Sequence, residues 1–273
     1  MGMCAMERLN GLPQQSKGRF GPAEVTAVSR LTPHMLRVTL KSEIARAYPS
    51  NAAGGHFKLV APLPGQSAEA FAEEACGPNI RAATRTYTIR RARPEASEFD
   101  VDIVVHGDLG RVGPWAQRAA LGDVVVVSSC GSPKLITEGV TRVLAACDLT
   151  GWPALAAGLE TLGPDVRVEA YVETPGDADR QPVAAPPGSK FHWIVKPDPN
   201  APADALVDAI KAAPRPGPSD SVFVAGEFTA VAALRQYFQG DLHVDRKRRY
   251  ISSYWKVGVD EQAHKVAKAQ VQD

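Results

Sequence analysis

The most informative stretch of this chain reads Arg85-Thr86-Tyr87-Thr88-Ile89-Arg90. Its β-branched and aromatic residues are typical of a short strand, in which alternate side chains lie on one face. Arg85 and Tyr87 therefore point the same way and combine a planar, bidentate cation with an aromatic ring, which suits a phosphate attached to a flat heterocycle. Thr88 lies on the other face, so it would reach the same ligand only through its backbone N–H or a kink at the strand's end. A dinucleotide such as FAD offers a partner to all three residues.

The same six residues also fit a simpler interpretation. Thr, Tyr and Ile are ordinary strand formers, and the two arginines could cover a solvated edge. Because short motifs often match by chance, the neighbouring sequence has to separate the two interpretations.

The sequence around this strand predicts a β-barrel. Short β-rich runs alternate with turns from about residue 21 to residue 127, and several strands with one short helix are typical of a barrel. We expect a six-stranded antiparallel barrel, with the interval 62–79 as a long polar loop. The six predicted strands are 23–28, 35–40, 57–60, 84–90, 98–105 and 123–127.

The pattern changes after residue 134 to strands that alternate with helices of about ten residues. This alternation predicts an α/β domain with a parallel sheet, whose carboxyl edge is the usual place for a nucleotide. We therefore divide the chain into domains 1–136 and 137–273. The predicted strands are 141–147, 166–173, 192–195, 221–225 and 254–258, and the predicted helices are 153–162, 202–212, 229–238 and 260–270.

Composition excludes several classes of protein. A chain of 273 residues with 44% hydrophobic residues can build real cores, and a formal net charge of +1 indicates neither a nucleic-acid nor a membrane partner. Residues 1–15 lack a long apolar run behind a basic start, and no stretch approaches the ~20 apolar residues of a membrane span. We expect a cytoplasmic protein and, by default, a monomer.

The four cysteines exclude the common metal sites. Cys4, Cys76, Cys130 and Cys147 lie far apart, without the short paired spacings of zinc or iron–sulfur sites. If the protein moves electrons, an organic cofactor must carry them. Scattered thiols also fit a reducing compartment.

The strand from Arg85 to Thr88 resembles the Arg-x-Tyr-Thr/Ser flavin signature of the ferredoxin reductase superfamily. More narrowly, the chain resembles the siderophore-interacting proteins, which are FAD-dependent ferric-siderophore reductases. Four further stretches resemble that family in the same order along the chain: Gly55-His56-Phe57-Lys58-Leu59; Asp102-Ile103-Val104-Val105-His106-Gly107 running on to Trp115-Ala116; Val224-Ala225-Gly226-Glu227; and Tyr254-Trp255-Lys256-Val257-Gly258.

The resemblance implies an FAD-binding barrel followed by an NAD(P)H-binding-type domain, with FAD in the cleft between them. It implies that Arg85 holds phosphate, that Tyr87 packs on the flavin or ribityl chain, and that Thr88 addresses the isoalloxazine edge. His106 is implied to lie against the flavin, although a histidine at a strand end is more often structural. Ile103 and Val105 are also implied to bind FAD, although they are more simply explained as core. The other residues implied to bind FAD are Thr86, Gly107, Val112, Gly113, Trp115 and Thr150.

The turn that leads into the helix at residues 113–120 is the expected pyrophosphate site. Pro114 in the first turn and Gly122 just past the end fit the polarity of a helix, so free N–H groups of Val112, Gly113 and Trp115 mark its start. An ordinary strand-to-helix turn would look the same. The family position of Gly113 is commonly serine, so a hydroxyl contact is missing here.

The stretch 147–154 resembles the family's Gly-Asp-Glu-Thr-Ala-Leu-Pro-Ala on the nicotinamide side of the flavin. The resemblance implies that Asp148, Thr150, Gly226 and Glu227 lie on that side. Three replacements stand out, since the chain has Cys147 for glycine, Leu149 for glutamate and Trp152 for leucine. A side chain where the backbone needs close access, and bulk at the mouth, would weaken nucleotide binding, change the donor, or indicate a protein donor such as a ferredoxin.

The run Arg246-Lys247-Arg248-Arg249 is the densest cluster of charge in the chain. Such runs are usually solvated faces, but the family binds anionic ferric siderophores through a few basic side chains. By position the candidates are Lys58, Lys134, Arg246, Arg248 and Arg249. Cys130 stands where many relatives carry an arginine.

The implied activity is the reduction of a ferric siderophore, with electrons from NADH, NADPH or a ferredoxin-like donor. It requires no side-chain acid or base and no bound metal cofactor, because FAD carries the electrons. Two alternatives stay open, namely a flavin reductase of quinones, dyes or a partner protein, and a siderophore carrier without flavin. The sequence does not choose between NADH and NADPH and does not identify the siderophore.

Overall fold

The computed structural model describes residue 9 and residues 20–105, 110–131, 133, 136, 139–259 and 261–271. The chain forms two compact units, residues 1–133 and residues 134–273. An antiparallel sheet followed by a parallel sheet with helices confirms the predicted two-domain class.

The first unit is an antiparallel sheet of seven strands rather than six. Its order is β4-β3-β7-β1-β2-β6-β5. The two end strands, β4 and β5, follow each other in the chain, and the Arg90 N–H between them donates to the Asp100 carbonyl on β6. The sheet therefore curls into a barrel. The strands are β1 Phe20–Thr32, β2 Met35–Lys41, β3 His56–Val60, β4 Arg85–Thr88, β5 Arg91–Arg93, β6 Glu98–Val104 and β7 Val124–Ser128.

The described residues of the barrel from 20 onward include three α-helices, α1 Ala68–Cys76, α2 Ile80–Ala83 and α3 Val112–Arg118. The predicted loop at 62–79 was therefore wrong. The Ser67 hydroxyl caps α1 by accepting from the Ala70 N–H at 3.2 Å, and Phe71, Ala72 and Ala75 are buried. Helical spacing of these residues was a weak signal in an otherwise polar stretch.

The second unit is a parallel sheet of order β10-β9-β8-β11-β12. The order reverses between β8 and β11, which is where open α/β sheets bind ligands. The strand β12 begins well before the predicted residue 254. The elements are β8 Arg142–Cys147, α4 Trp152–Leu159, β9 Arg167–Thr174, β10 Lys190–Val195, α5 Asp204–Ala212, β11 Asp220–Glu227, α6 Phe228–Arg235, β12 Arg249–Trp255 and α7 Glu261–Val271.

Apolar side chains cover both faces of the parallel sheet. Residues of α4 pack on one face and residues of α5 and α6 on the other. Such double burial is why its strands read as continuous apolar runs. Within the described part of the chain, no helix is long and apolar enough to cross a membrane.

Candidate functional site

Arg85 and Tyr87 lie on the same side of the sheet as the buried residues of the neighbouring strand β3. Arg85 pairs with Leu59 and Tyr87 with Phe57, and both partners belong to the barrel core. Arg85 is half-buried, and its Nη1 donates to the carbonyls of Ala82 and Thr84 at 3.1 and 3.0 Å. These bonds hold the guanidinium group near the start of β4, and Arg85 and Tyr87 lie on the same face of the strand, as its alternation predicts.

The other face of β4 carries Thr86 and Thr88. Thr86 lies opposite Lys58, whose Nζ donates to the Thr86 hydroxyl, and Thr88 lies opposite His56. The structure thus brings the predicted substrate residue Lys58 together with the predicted cofactor residue Thr86. The simpler interpretation of a solvated edge is wrong for Arg90, which is buried and lies 3.8 Å from the Asp102 carboxylate.

His56 is a candidate that the sequence did not single out. Its exposed ring lies over Gly131, where an added Cβ would come within 2.5 Å of the ring. Gly55 also lies against the Gly131 backbone and the Ala52 carbonyl, which would be 2.8 Å from an added Cβ. The two glycines therefore let β3 and the segment after β7 approach closely, directly beside Cys130.

Arg111 anchors the start of α3 and was also not predicted. Its side chain is 7% exposed, and its Nη1 and Nη2 donate to the two oxygens of Glu74 on α1 at 2.7 and 2.5 Å. Its Nε donates to the Ala61 carbonyl at the end of β3. The Arg111 hydrogen bonds lower the pKa of Glu74. The two residues are 37 positions apart, so no local pattern indicates their contact.

Besides the guanidinium group of Arg85 on β4, two observations fit the binding of FAD by the barrel. The Trp115 Nε1 is buried and has no hydrogen-bond partner among the described residues, a state that buried donors rarely keep. Gly113 has room, since among the residues that the structure describes an added Cβ would meet only the Val104 carbonyl at 3.7 Å. The side chains of Ile103, Val105 and Val112 are buried in the barrel core, so only their backbone could touch a ligand. His106, Gly107 and Lys134 lie outside the described residues.

In the second unit, Asp148 organises the turn after β8. Its Oδ1 accepts from the Thr150 N–H at 2.8 Å, from the Thr150 hydroxyl at 2.5 Å and from the Gly151 N–H at 3.2 Å. Its Oδ2 accepts from Trp255 Nε1 at 2.7 Å. Gly226 has φ +151°, and an added Cβ there would lie 2.7 Å from Asp148 Oδ2. Glycine at 226 therefore makes room for Asp148, a protein group, and not only for a ligand.

Glu227 serves as the N-cap of α6. Its Oε2 accepts from the N–H groups of Thr229 and Ala230 at 2.5 and 3.2 Å, and its Oε1 accepts from the Val257 N–H at 3.4 Å. A nucleotide that donates a hydrogen bond to Glu227 would therefore compete with these backbone donors.

The three departures from the family motif lie inside the domain. Cys147, Leu149 and Trp152 are all buried, so the expectation of bulk at the mouth was wrong. The Trp152 ring packs against Trp193 at 5.1 Å and Phe191 at 6.0 Å.

A fourth departure compensates in part for the first. Gly151 stands where the motif has alanine, and an added Cβ at 151 would lie 2.6 Å from the Ala225 carbonyl oxygen and 2.9 Å from the Cβ of Cys147. The chain thus carries a Cβ at 147 and none at 151, the reverse of the motif, and burial raises the Cys147 pKa well above its usual value.

Glu173 ends β9 on the face covered by α5 and α6. It is 3% exposed, its Oε2 lies 3.1 Å from Lys196 Nζ, and its Oε1 is buried without a hydrogen-bond partner. Burial raises the pKa of this carboxyl, and Lys196 opposes that shift. Sequence reasoning named Glu173 only as a strand end.

The arginine run lies away from the carboxyl edge of the sheet. Arg249 starts β12 opposite Val222, whereas Trp255 ends it opposite Glu227. Arg246, Arg248 and Arg249 therefore form no cluster with Asp148 or Glu227, and the Arg249 guanidinium donates to the Val244 carbonyl.

Comparison with known proteins matches both units. Residues 24–133 match the family model described as "Siderophore-interacting FAD-binding domain", and residues 140–258 match the model described as "Siderophore-interacting protein". The ferric vibriobactin reductase ViuB of Vibrio cholerae is 29% identical, over 88% of this chain and 90% of that protein. The NADPH-dependent ferric-chelate reductase of Escherichia coli is 28% identical, over 87% of this chain and 93% of that protein. The crystal structure of the siderophore-interacting protein SipS from Aeromonas hydrophila matches with a TM-score of 0.81 and 31% identity, over 94% of this chain and 99% of that one.

Proposed function

The chain belongs to the siderophore-interacting protein family, and on this premise we propose that it is an FAD-dependent reductase of ferric siderophores. One observation carries the proposal, which is that the two family models match the two compact units in order, the FAD-binding model on the barrel. The relatives named as ferric reductases span the same two units.

Bound FAD supplies a group that accepts two electrons from a nicotinamide nucleotide and releases them one at a time. The barrel's own residues bind and orient it. Arg85 holds a phosphate of the dinucleotide, and Tyr87, fixed against the barrel core, packs on the ring or ribityl chain. Backbone donors at Val112 and Gly113 take the pyrophosphate. The buried Trp115 Nε1 without a partner supports a polar ligand in this part of the barrel.

The second unit binds the nucleotide donor at the carboxyl edge of its sheet. Asp148 holds the turn at Thr150 and Gly151 in shape through three hydrogen bonds. Because Cys147 and Trp152 are buried, they leave this turn accessible. A ferredoxin-like donor, a monomeric state and a cytoplasmic location remain predictions.

The ferric siderophore is the substrate, and Lys58 is the basic side chain best placed to attract it. Lys58 lies on β3 and contacts Thr86 of β4, the strand that carries Arg85. Reduction releases iron because the hard oxygen ligands of siderophores hold Fe(III) far better than Fe(II). Arg246 is exposed and fits a solvated face, whereas Arg248 and Arg249 are half-buried at the start of β12. This position does not favour a subsite shared with the nucleotide.

Trapping of Fe(II) tests this proposal directly. Holoprotein, a nicotinamide nucleotide and a ferric siderophore should give a coloured Fe(II)–ferrozine complex, and the gallium(III) siderophore should compete without turnover. Equal rates with ferric siderophore, ferric EDTA and a quinone would instead favour a general flavin reductase. Binding of the gallium complex by a protein that never takes up FAD would favour a carrier.

A variant pair locates the substrate. Lys58→Gln should raise the KM for an anionic ferric siderophore and leave the rate of flavin reduction by nucleotide unchanged. Lys41→Gln, at the exposed end of β2, is the matched control. An unchanged KM in Lys58→Gln would remove this residue from the substrate site.

A further inference from the structure

A cavity at the carboxyl edge of the parallel sheet has an acidic wall. Asp148, Glu173 and Glu227 line it above an apolar floor that includes Val224 and Leu234, and no lysine or arginine is among the described residues that line it. The strand order reverses between β8 and β11, so the cavity lies where such sheets bind nucleotides.

Glu173 differs from Asp148 and Glu227 in the number of its carboxylate oxygens that accept hydrogen bonds from the described residues. Both oxygens of Asp148 and both oxygens of Glu227 accept hydrogen bonds from the protein. The Oε1 of Glu173 accepts none from the part of the chain that the structure describes, although the side chain is only 3% exposed. A buried carboxylate oxygen in that state is rare, and a bound hydroxyl or water can supply the missing donor.

The position of Glu173 points to a particular donor. It ends β9, the strand that follows β8, the Asp148 turn and α4. In βαβ nucleotide sites, an acidic residue at the end of the second strand accepts from the ribose 2′-hydroxyl of NAD, whereas sites for NADP place an arginine there. Lys196 is the one cation paired with Glu173 in the described structure, and it is bound to the other oxygen at 3.1 Å.

We infer that the acidic wall selects NADH against NADPH, with Glu173 as the residue that discriminates. The inference rests on the proposed function, since it requires a nicotinamide nucleotide at this edge. A free 2′-hydroxyl can donate to Glu173, and a 2′-phosphate would bring its negative charge against three carboxylates. The preference is opposite to that in the name of the E. coli relative.

The test measures binding and not turnover. ADP-ribose and 2′-phospho-ADP-ribose are titrated into the FAD-loaded protein by calorimetry, and ADP-ribose should bind about tenfold more tightly or better. Glu173→Gln should bring the ratio of the two affinities close to one, because it removes one carboxylate charge and leaves Lys196 to attract the phosphate. Lys196→Gln should widen the ratio.

Glu169→Gln is the matched control, since Glu169 lies on the same face of β9 but pairs with Arg142, away from the carboxyl edge. It should leave the ratio unchanged. Equal affinities in the wild-type protein would overturn the inference, and so would a Glu173→Gln variant that keeps the wild-type ratio.

Two outcomes separate this inference from the proposed function. If neither ligand binds while dithionite-reduced protein still reduces the ferric siderophore, the inference fails and the function stands. If ADP-ribose is preferred but no ferric chelate is ever reduced, the inference stands and the function fails.

Discussion

Replacing Trp152 with the leucine of the family motif tests whether the departures in the turn after β8 affect the nucleotide or the core. The Trp152 side chain is 2% exposed, and its ring packs on Trp193 and Phe191 at 5.1 and 6.0 Å. We expect Trp152→Leu to destabilise the protein and to leave nucleotide binding unchanged.

The size of the expected loss of stability depends on the volume and the ring contacts of Trp152 that leucine does not replace. Removing a buried tryptophan to alanine costs about 3–5 kcal/mol, and leucine restores roughly half of the lost contact. Each aromatic pair adds about 0.5–1.5 kcal/mol beyond its buried area. The sum of the lost volume and the two lost ring pairs gives an expected loss of about 2.5–5.5 kcal/mol.

The assay combines urea unfolding followed by circular dichroism with calorimetric titration of ADP-ribose. Trp193→Leu is the matched control, because it removes the other half of the Trp152–Trp193 pair on the half-buried strand β10. Both variants should lose stability and keep the affinity for ADP-ribose within about twofold, the scatter expected of a site they do not touch. A Trp152→Leu variant of unchanged stability that binds ADP-ribose much more tightly would refute the reasoning and return Trp152 to the mouth of the site.

Three further predictions concern the contacts of both units. Glu74→Gln leaves the buried Arg111 guanidinium without its carboxylate and should cost about 2–4 kcal/mol, less than a fully buried pair because Glu74 is 30% exposed. Because Arg111 lowers the pKa of Glu74, the stability that this pair contributes is complete above the carboxyl's ordinary pKa of 4.5. That stability is lost as the pH falls through the lowered pKa of the folded state, so the free energies of unfolding of Glu74→Gln and wild type should converge in acid. Gly113→Ser, which has room and no positive φ, should keep the stability and tighten FAD binding, measured by quenching of flavin fluorescence. Gly226→Ala should destabilise the protein by about 2 kcal/mol or more, through the clash with Asp148 and the positive φ, measured by urea unfolding.

Controls separate these effects from general damage. Glu43→Gln breaks the exposed Glu43–Arg46 pair, which should contribute at most about 0.5 kcal/mol. An equal loss of stability in Glu43→Gln and Glu74→Gln would contradict the larger contribution of the Glu74–Arg111 pair. Gly110→Ala is the control for Gly113→Ser, because position 110 has φ +85° and should lose stability. Weaker FAD binding by Gly113→Ser would move the pyrophosphate elsewhere.

Periodicity predicted most elements because each strand buries one or both faces. The runs at 35–40 and 57–60 lie within β2 and β3, and the helix–strand alternation after residue 140 gave the parallel sheet. Periodicity missed β5, because three residues are too few to show an alternating pattern. It also missed α1, because the apolar residues of this helix lie within a polar stretch. The resemblance to the family, confirmed by the two matched models, supplied the cofactor that composition alone could not.

The site was harder to predict because it depends on contacts between distant residues. Nothing local joins Arg111 to Glu74 or Trp255 to Asp148, and these contacts determine which donors are already used. The direction of Cys147 was available from alternation, since Val143 and Ala145 share its buried face. Its compensation by Gly151 requires three-dimensional distances. Glu173 drew no attention because its unpartnered oxygen is a property of packing alone.

The visible absorption spectrum of the purified protein, recorded without oxygen, tests the central claim most directly. We predict a flavin spectrum that bleaches on addition of NADH and returns on addition of a ferric siderophore, with Fe(II) released to a trap. A protein that takes up no flavin even when FAD is supplied, or a reduced flavin that the ferric siderophore does not reoxidise, would contradict the account.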